Sequence, residues 1–331
     1  MMLESLQNIF VTSYREGNKM SFSSEVRKEL TGVMPEARHC MIAELGGLLL
    51  MLGKIEQKEG HLSLSFQTEN ELIARKYFTI LHKTFNIDTE VVLIKHRNRQ
   101  KYTYLLKIEQ PDKVDKILQA TTILKKTRNE AIIREYMDQT VIQSMCCKRA
   151  YLRGAFLAGG SVSDPEKGYH LEFVCEQEAH AKYLQQTMEA LEMDAKIVTR
   201  KAHYVVYLKE GAQIVDLLNI MGAHIALMEL ENIRIVKEVR NNVNRLVNCE
   251  TANLKKTVSA AVRQVQDIEY IRDTIGLSSL PENLEQIARY RLEYSSATLK
   301  ELGELLSPPV GKSGVNHRLK KLSEIANQMR E

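Results

Sequence analysis

Leu45-Gly46-Gly47-Leu48-Leu49-Leu50-Met51-Leu52-Gly53 returns 107 residues later as Leu152-Arg153-Gly154-Ala155-Phe156-Leu157-Ala158-Gly159-Gly160. Both segments are mostly apolar, and both place glycine third and ninth. Glycine inside a helix costs about 0.5–1 kcal/mol relative to alanine. Two apolar helices that both carry it are expected where backbones approach closely. The simplest arrangement packs them on each other about a pseudo-twofold axis, with their sheets forming one continuous saddle. Spacing alone leaves a second arrangement open, two ordinary core helices with incidental glycines.

The surroundings repeat as well. After the first segment, residues 61–68 alternate as a strand and 69–85 carry helical spacing. Strands at 89–95 and 101–109 and a helix at 112–118 follow. After the second come strand 169–175, helix 178–191, strands 195–200 and 203–209, and helix 212–221. Residues 54–57 add a strand to the first unit, and 129–144 read as a helix linking the units. The result is α+β: two α-β-β-α-β-β-α units at about 20–124 and 145–226. Ser23 or Ser24 is the expected cap of an opening helix, with Glu25 in its first turn. Residues 1–19 read as an N-terminal extension, the compact protein starting at Met20.

Composition narrows the function. The 331 residues carry 46 basic and 42 acidic side chains, a net charge of +4. That permits a polyanion partner only if the charge is clustered. Leu48 to Leu52 is far shorter than the roughly 20 apolar residues of a membrane span, so no membrane association is expected. No basic start followed by an apolar core opens the chain, so no signal peptide is expected. The five cysteines (Cys40, Cys146, Cys147, Cys175 and Cys249) contain no C-x-x-C pair. A zinc ribbon or redox motif is therefore not expected, and reduced thiols in a cytoplasmic protein are. His39, His61, His82, His170, His180 and His224 are dispersed and read as structural. No phosphate-cradling loop is present, and no cofactor is expected.

Beyond residue 228 the alternation stops. Residues 229–280 read as a helical linker, with 254–275 a long helix. Residues 281–331 read as an all-α domain with helices at 282–294 and 298–306. A five-residue turn, Ser307-Pro308-Pro309-Val310-Gly311, precedes a third helix capped by Ser313. Within that helix Val315, Leu319, Leu322 and Ala326 face the core. Asn316, His317, Lys320 and Lys321 are displayed, with Arg318 flanking. This is a helix-turn-helix layout, whose last helix fits the major groove. Asn316, Arg318 and His317 suit base edges. Ser313 at the helix N-terminus and Lys312, Lys320 and Lys321 suit phosphates.

The paired glycine segments in this α-β-β-α-β-β-α order resemble the LAGLIDADG homing endonuclease fold, over about residues 21–226. With Ser21-Phe22-Ser23, Asn248-Cys249-Glu250-Thr251-Ala252-Asn253 and Lys312-Ser313-Gly314-Val315-Asn316-His317-Arg318-Leu319, the whole chain resembles the WhiA family of bacterial sporulation and cell-division regulators. That nuclease fold implies one metal-binding acid at the eighth motif position of each copy. Those positions are Leu52 and Gly159, which offer a cation no side-chain ligand. Nuclease activity is therefore expected to be lost and no metal is expected. An endonuclease using the displaced acids Glu56, Asp164 or Glu166 is the rival.

Two hairpins are basic: Lys95, Arg97, Arg99 and Lys101 in the first unit, Arg200 and Lys201 in the second. They are candidates for DNA backbone contact. The expected partner is double-stranded DNA, with division or transcription proteins as further partners. An adaptor of the division machinery is the other rival. The resemblance implies gene control in cell division, chromosome segregation or sporulation, in a nucleoid-associated cytoplasmic protein.

Overall fold

The computed structural model describes residues 20–330, apart from 59–60, 96–101 and 128–129. The expected extension at 1–19 lies outside the described residues. The chain divides into two units, Met1–Val236 and Lys237–Glu331.

Helix α1 is Phe22–Gly32. Its cap is Ser21, not Ser23 or Ser24, and Ser21 Oγ accepts from the Ser24 N–H at 3.3 Å. Phe22, Val26 and Leu30 bury on one face, so the helix must start before Ser23. Ser23 Oγ instead accepts the Val162 N–H.

The first repeat is α2 (Arg38–Leu52), β1 (Lys54–Lys58), β2 (His61–Thr68), α3 (Glu71–Phe85), β3 (Glu90–Lys95), β4 (Tyr102–Ile108) and α4 (Pro111–Ala120). A small hairpin follows, β5 (Leu124–Lys126) with β6 (Ala131–Ile133). The second repeat is α5 (Met145–Gly159), β7 (Gly160–Val162), β8 (Leu171–Cys175), α6 (Glu178–Glu189), β9 (Lys196–Arg200), β10 (His203–Leu208) and α7 (Gly211–Met221). Each repeat builds one four-stranded antiparallel sheet, ordered β1-β2-β4-β3 and β7-β8-β10-β9. The equivalent order in both is the repeat expressed as topology.

Each sheet is its own four-stranded ladder among the described residues, one in each half of the pseudo-twofold saddle. One expectation changes. Residues 130–144 hold a strand and turns, not a linking helix. The β-branched pair Ile132-Ile133 favours an extended ladder. Asp138 Oδ1 then accepts both the N–H and the hydroxyl of Thr140, a local turn that competes with helix.

Helices α2 and α5 pack directly on each other, and the glycines explain how. A Cβ on Gly47 would press on the Tyr151 carbonyl, and one on Gly154 on the Glu44 carbonyl. Each helix is buried on most sides, as a helix apolar all round should be. Leu64 and Phe66 of β2 pair with Ile108 and Leu106 of β4 and join the same core. Leu171, Phe173 and Cys175 of β8 do so in the second repeat.

Helix α8 (His224–Thr274) continues through the unit boundary at residue 236. Ala226 and Leu230 belong to the first core; Ile268 and Ile271 belong to the second. The second unit adds α9 (Glu282–Glu293), α10 (Leu299–Leu305) and α11 (Lys312–Arg330). Thr298 and Glu301 form a reciprocal capping box that starts α10. Gly303 lets the turn fold back: its carbonyl accepts the Val310 N–H at 2.9 Å, and a Cβ there would meet the Val310 carbonyl. Ser313 is not the cap of α11. The helix has already begun at Lys312, and the Gly311 carbonyl accepts the Val315 N–H.

Candidate nucleic-acid interface

The buried stripe of α11 is Val315, Leu319, Leu322 and Ala326. At 100° per residue, the opposite face carries Ser313, His317, Lys320 and Lys321. All four are exposed, as is Lys312. Asn316 is half-buried at the edge of this face. Arg318 lies on the other edge, half-buried, where its guanidinium reaches the Asn283 carbonyl at 3.5 Å. Five of the seven expected residues thus share or border one face; Lys312, in the first turn, lies nearer the buried stripe, and Arg318 turns toward α9. Lys312 and Asn316 also line a cavity of about 720 Å³ with Leu254, Val258 and Val262.

The helix is held firmly behind that face. Arg330 pairs with buried Asp267 at 2.8 Å and stacks 4.8 Å above the Tyr270 ring. The Tyr270 hydroxyl donates to the Met329 carbonyl. Arg291, fully buried, donates to the carbonyls of Ser295 and Ala297 at 3.3 and 2.7 Å, fixing the loop before α10. Burial lowers its pKa. A pre-organised helix loses little entropy on docking.

The hairpins contribute less to a single site. Lys95 is exposed at the end of β3, while Arg97, Arg99 and Lys101 lie outside the described residues. Arg200 and Lys201 are exposed at the β9–β10 turn. Lys201 and Ala202 both take left-handed φ values, 49° and 64°, as a tight two-residue hairpin requires. Between the rims, the sheet faces turned from the helices are of mixed charge. Lys107 pairs with Glu109, and its ammonium pKa is raised by Glu109 first, then by Glu90 and Glu56. His170 Nε2 lies 3.0 Å from Glu172. Among the described residues, Lys95, Arg200 and Lys201 are exposed at the hairpin ends.

At the foot of the central helices stand Leu52, half-buried, and Gly159, where a Cβ would strike the Met51 methyl. Arg27 of α1 donates to the Gly160 carbonyl, and burial lowers the Arg27 pKa. Asp164 Oδ1 accepts the Glu166 N–H, and its other oxygen lies 3.8 Å from Lys167. Among the described residues, Glu56, Asp164 and Glu166 join no cluster of three or more potential ligands.

Sequence reasoning missed a buried ionic triad between the central helices. Glu44 is wholly buried. Its Oε2 accepts from Arg153 Nε at 2.9 Å, and Lys76 Nζ sits 2.5 Å from Oε1. Lys76 also donates to the Leu30 and Val33 carbonyls, and Arg153 to Met221. Burial lowers the Lys76 pKa against the raising effect of Glu44. The signal was Arg153 itself, a charge within an apolar motif that requires a buried partner.

Three family models match successive stretches of the chain. The WhiA N-terminal LAGLIDADG-like domain matches residues 38–124, the WhiA LAGLIDADG-like domain 148–240 and the WhiA C-terminal HTH domain 243–326. A "probable cell division protein WhiA" of Lachnoclostridium phytofermentans is 52% identical over 316 residues, 94% of this chain and 100% of that protein. The protein of the same description from Alkaliphilus oremlandii is 52% identical over 315 residues, 94% and 98% of the two chains. Full-length DUF199/WhiA from Thermotoga maritima aligns in structure with a TM-score of 0.57 at 24% identity, covering 93% of this chain and 99% of that one. That likeness bears on the fold; the matches in sequence establish kinship. The fold is accordingly a LAGLIDADG homing-endonuclease-like domain followed by a helix-turn-helix domain, and the chain belongs to the WhiA family.

Proposed function

We propose that this chain binds double-stranded DNA in a sequence-specific manner through α11, as a regulator of transcription or a factor in cell division and chromosome segregation, and that it cleaves nothing. The observation that carries the reading is the rigidly backed face of α11, with His317, Lys320 and Lys321 exposed and Asn316 at its edge. Asn316 and His317 read bases, and Lys312, Lys320 and Lys321 hold phosphates. Arg318, drawn toward Asn283, contributes less than its neighbours. Arg200 and Lys201 add contacts without sequence preference. The relatives' description as probable cell division proteins supports a process in cell division. The nucleoid is where such a protein acts. Loss of cleavage is supported by Leu52 and Gly159 at the helix feet, with Arg27 seated at Gly160.

A second reading rests on α8. Val239, Val243, Leu246, Leu254, Val258 and Val262 are at least half exposed along it, a surface suited to a protein partner. Selection of bound duplexes from a randomised pool decides between the two. Enrichment of a defined site, lost in the Asn316→Ala/His317→Ala variant, supports readout by α11. No enriched site would move the role to α8. Plasmid nicked in Mg²⁺ by the wild type and not by Glu56→Gln/Asp164→Asn would restore the nuclease.

A further inference from the structure

His39 and Cys40 lie in the first turn of α2, and Cys146 and Cys147 in the first turn of α5. The 107-residue repeat offset maps His39 onto Cys146 and Cys40 onto Cys147. The pseudo-twofold packing of the two helices brings these doublets together. His39 Nδ1 is 3.1 Å from Cys147 Sγ and 3.4 Å from Cys40 Sγ. One donor atom from each of the four residues lies within 4.8 Å of all the others.

We propose that His39, Cys40, Cys146 and Cys147 form a Cys₃His site for a soft divalent cation, zinc, that clamps the starts of the two central helices. With Zn–S near 2.3 Å and Zn–N near 2.0–2.1 Å, tetrahedral donors stand about 3.5–3.8 Å apart. The four donors need only small side-chain rotations to reach that spacing. Three thiolates and an imidazole select zinc over magnesium or manganese, which take oxygen ligands. The site is therefore a different one from that of a nuclease metal, and it lies at the other end of the helices from Leu52 and Gly159. Two helix N-termini favour the negative charge of the bound thiolates. Cys40 and Cys147 are buried, while His39 and Cys146 are exposed. A cavity of about 310 Å³ lined by His39, Ile42, Thr140 and Cys147 gives the ion a way in. On binding, each of the three thiols releases a proton to solvent, and the ion takes four protein ligands. The ligand spacing escapes a search for C-x-x-C because each helix supplies an adjacent pair.

The test uses the full chain, purified under reducing conditions without chelator. Zinc content is measured by mass spectrometry, and Co²⁺ is titrated in to read thiolate charge-transfer and tetrahedral ligand-field bands. One zinc per chain and a thiolate-cobalt spectrum are expected. Changes beyond the ligands already cost about 10–100-fold in metal affinity, so Cys146→Ser and Cys147→Ser are each expected to weaken binding by more than about tenfold. Cys249→Ser, on exposed α8, should bind as the wild type does. Cys146 and His39 are exposed, so Cys146→Ser and His39→Ala keep the test valid if Cys147→Ser unfolds. Zinc content in the wild type no higher than in Cys146→Ser, or a cobalt spectrum without thiolate bands, overturns the proposal. A disulfide among Cys40, Cys146 and Cys147 in the isolated chain overturns it too.

Discussion

Glu44 carries two cationic partners in a fully buried position. Removing one partner of a buried pair leaves an uncompensated charge, at a cost of about 3–5 kcal/mol. Glu44→Ala is expected to lose stability in that range, read as a lower urea midpoint. A loss under about 1 kcal/mol would mean water reaches Lys76 and Arg153. His180 gives a pH dependence. It is buried with Nε2 3.1 Å from the Tyr151 hydroxyl, and burial pushes its pKa down to about 4. Unfolded, it titrates near 6.5. Between those values the unfolded chain binds the extra proton, so the stability contribution is full above about pH 6.5 and is lost as pH falls toward 4. The whole effect is bounded at about 3 kcal/mol. Urea midpoints at pH 7 and pH 5 should converge in His180→Gln relative to the wild type. His180 read correctly as structural in the sequence, but its partner across 29 residues was not legible.

At the scale of elements, the glycine helices were the most legible feature. Their spacing pointed to the helices and offered their contact as one of two arrangements; the structure selects the contact, where only glycine admits a facing carbonyl at that distance. Gly154→Ala is expected to cost about 1–3 kcal/mol by overpacking against Glu44. Thermal denaturation checks it, and an unchanged midpoint would mean the helices stand further apart. The short strand Gly160–Val162 left no periodic signal in three residues. Residues 130–144 misread as helix because local hydrogen bonds at Asp138 and Thr140 outweigh apolar spacing. For α11 the apolar stripe gave the buried face correctly. It could not show that Arg318 reaches Asn283, since that depends on how α9 packs.

For the molecule as a whole, a net charge of +4 is too small to make the entire surface attractive to DNA. With mixed charge on the sheet faces, α11 is a described surface where exposed basic residues meet side chains suited to base edges. Each phosphate contact contributes about 0.9 to the slope of log affinity against log salt. The most direct test is fluorescence anisotropy across a salt series, on the selected duplex and on a scrambled one. It compares wild type, Asn316→Ala/His317→Ala, Lys320→Ala/Lys321→Ala and Arg200→Ala/Lys201→Ala. The account predicts that the first variant binds both duplexes alike. It predicts that the α11 lysine variant loses about 2 from the salt slope on both duplexes, and that the hairpin variant keeps its preference at lower affinity. Preference retained without Asn316 and His317, and lost without Arg200 and Lys201, would contradict it and move recognition to the first unit.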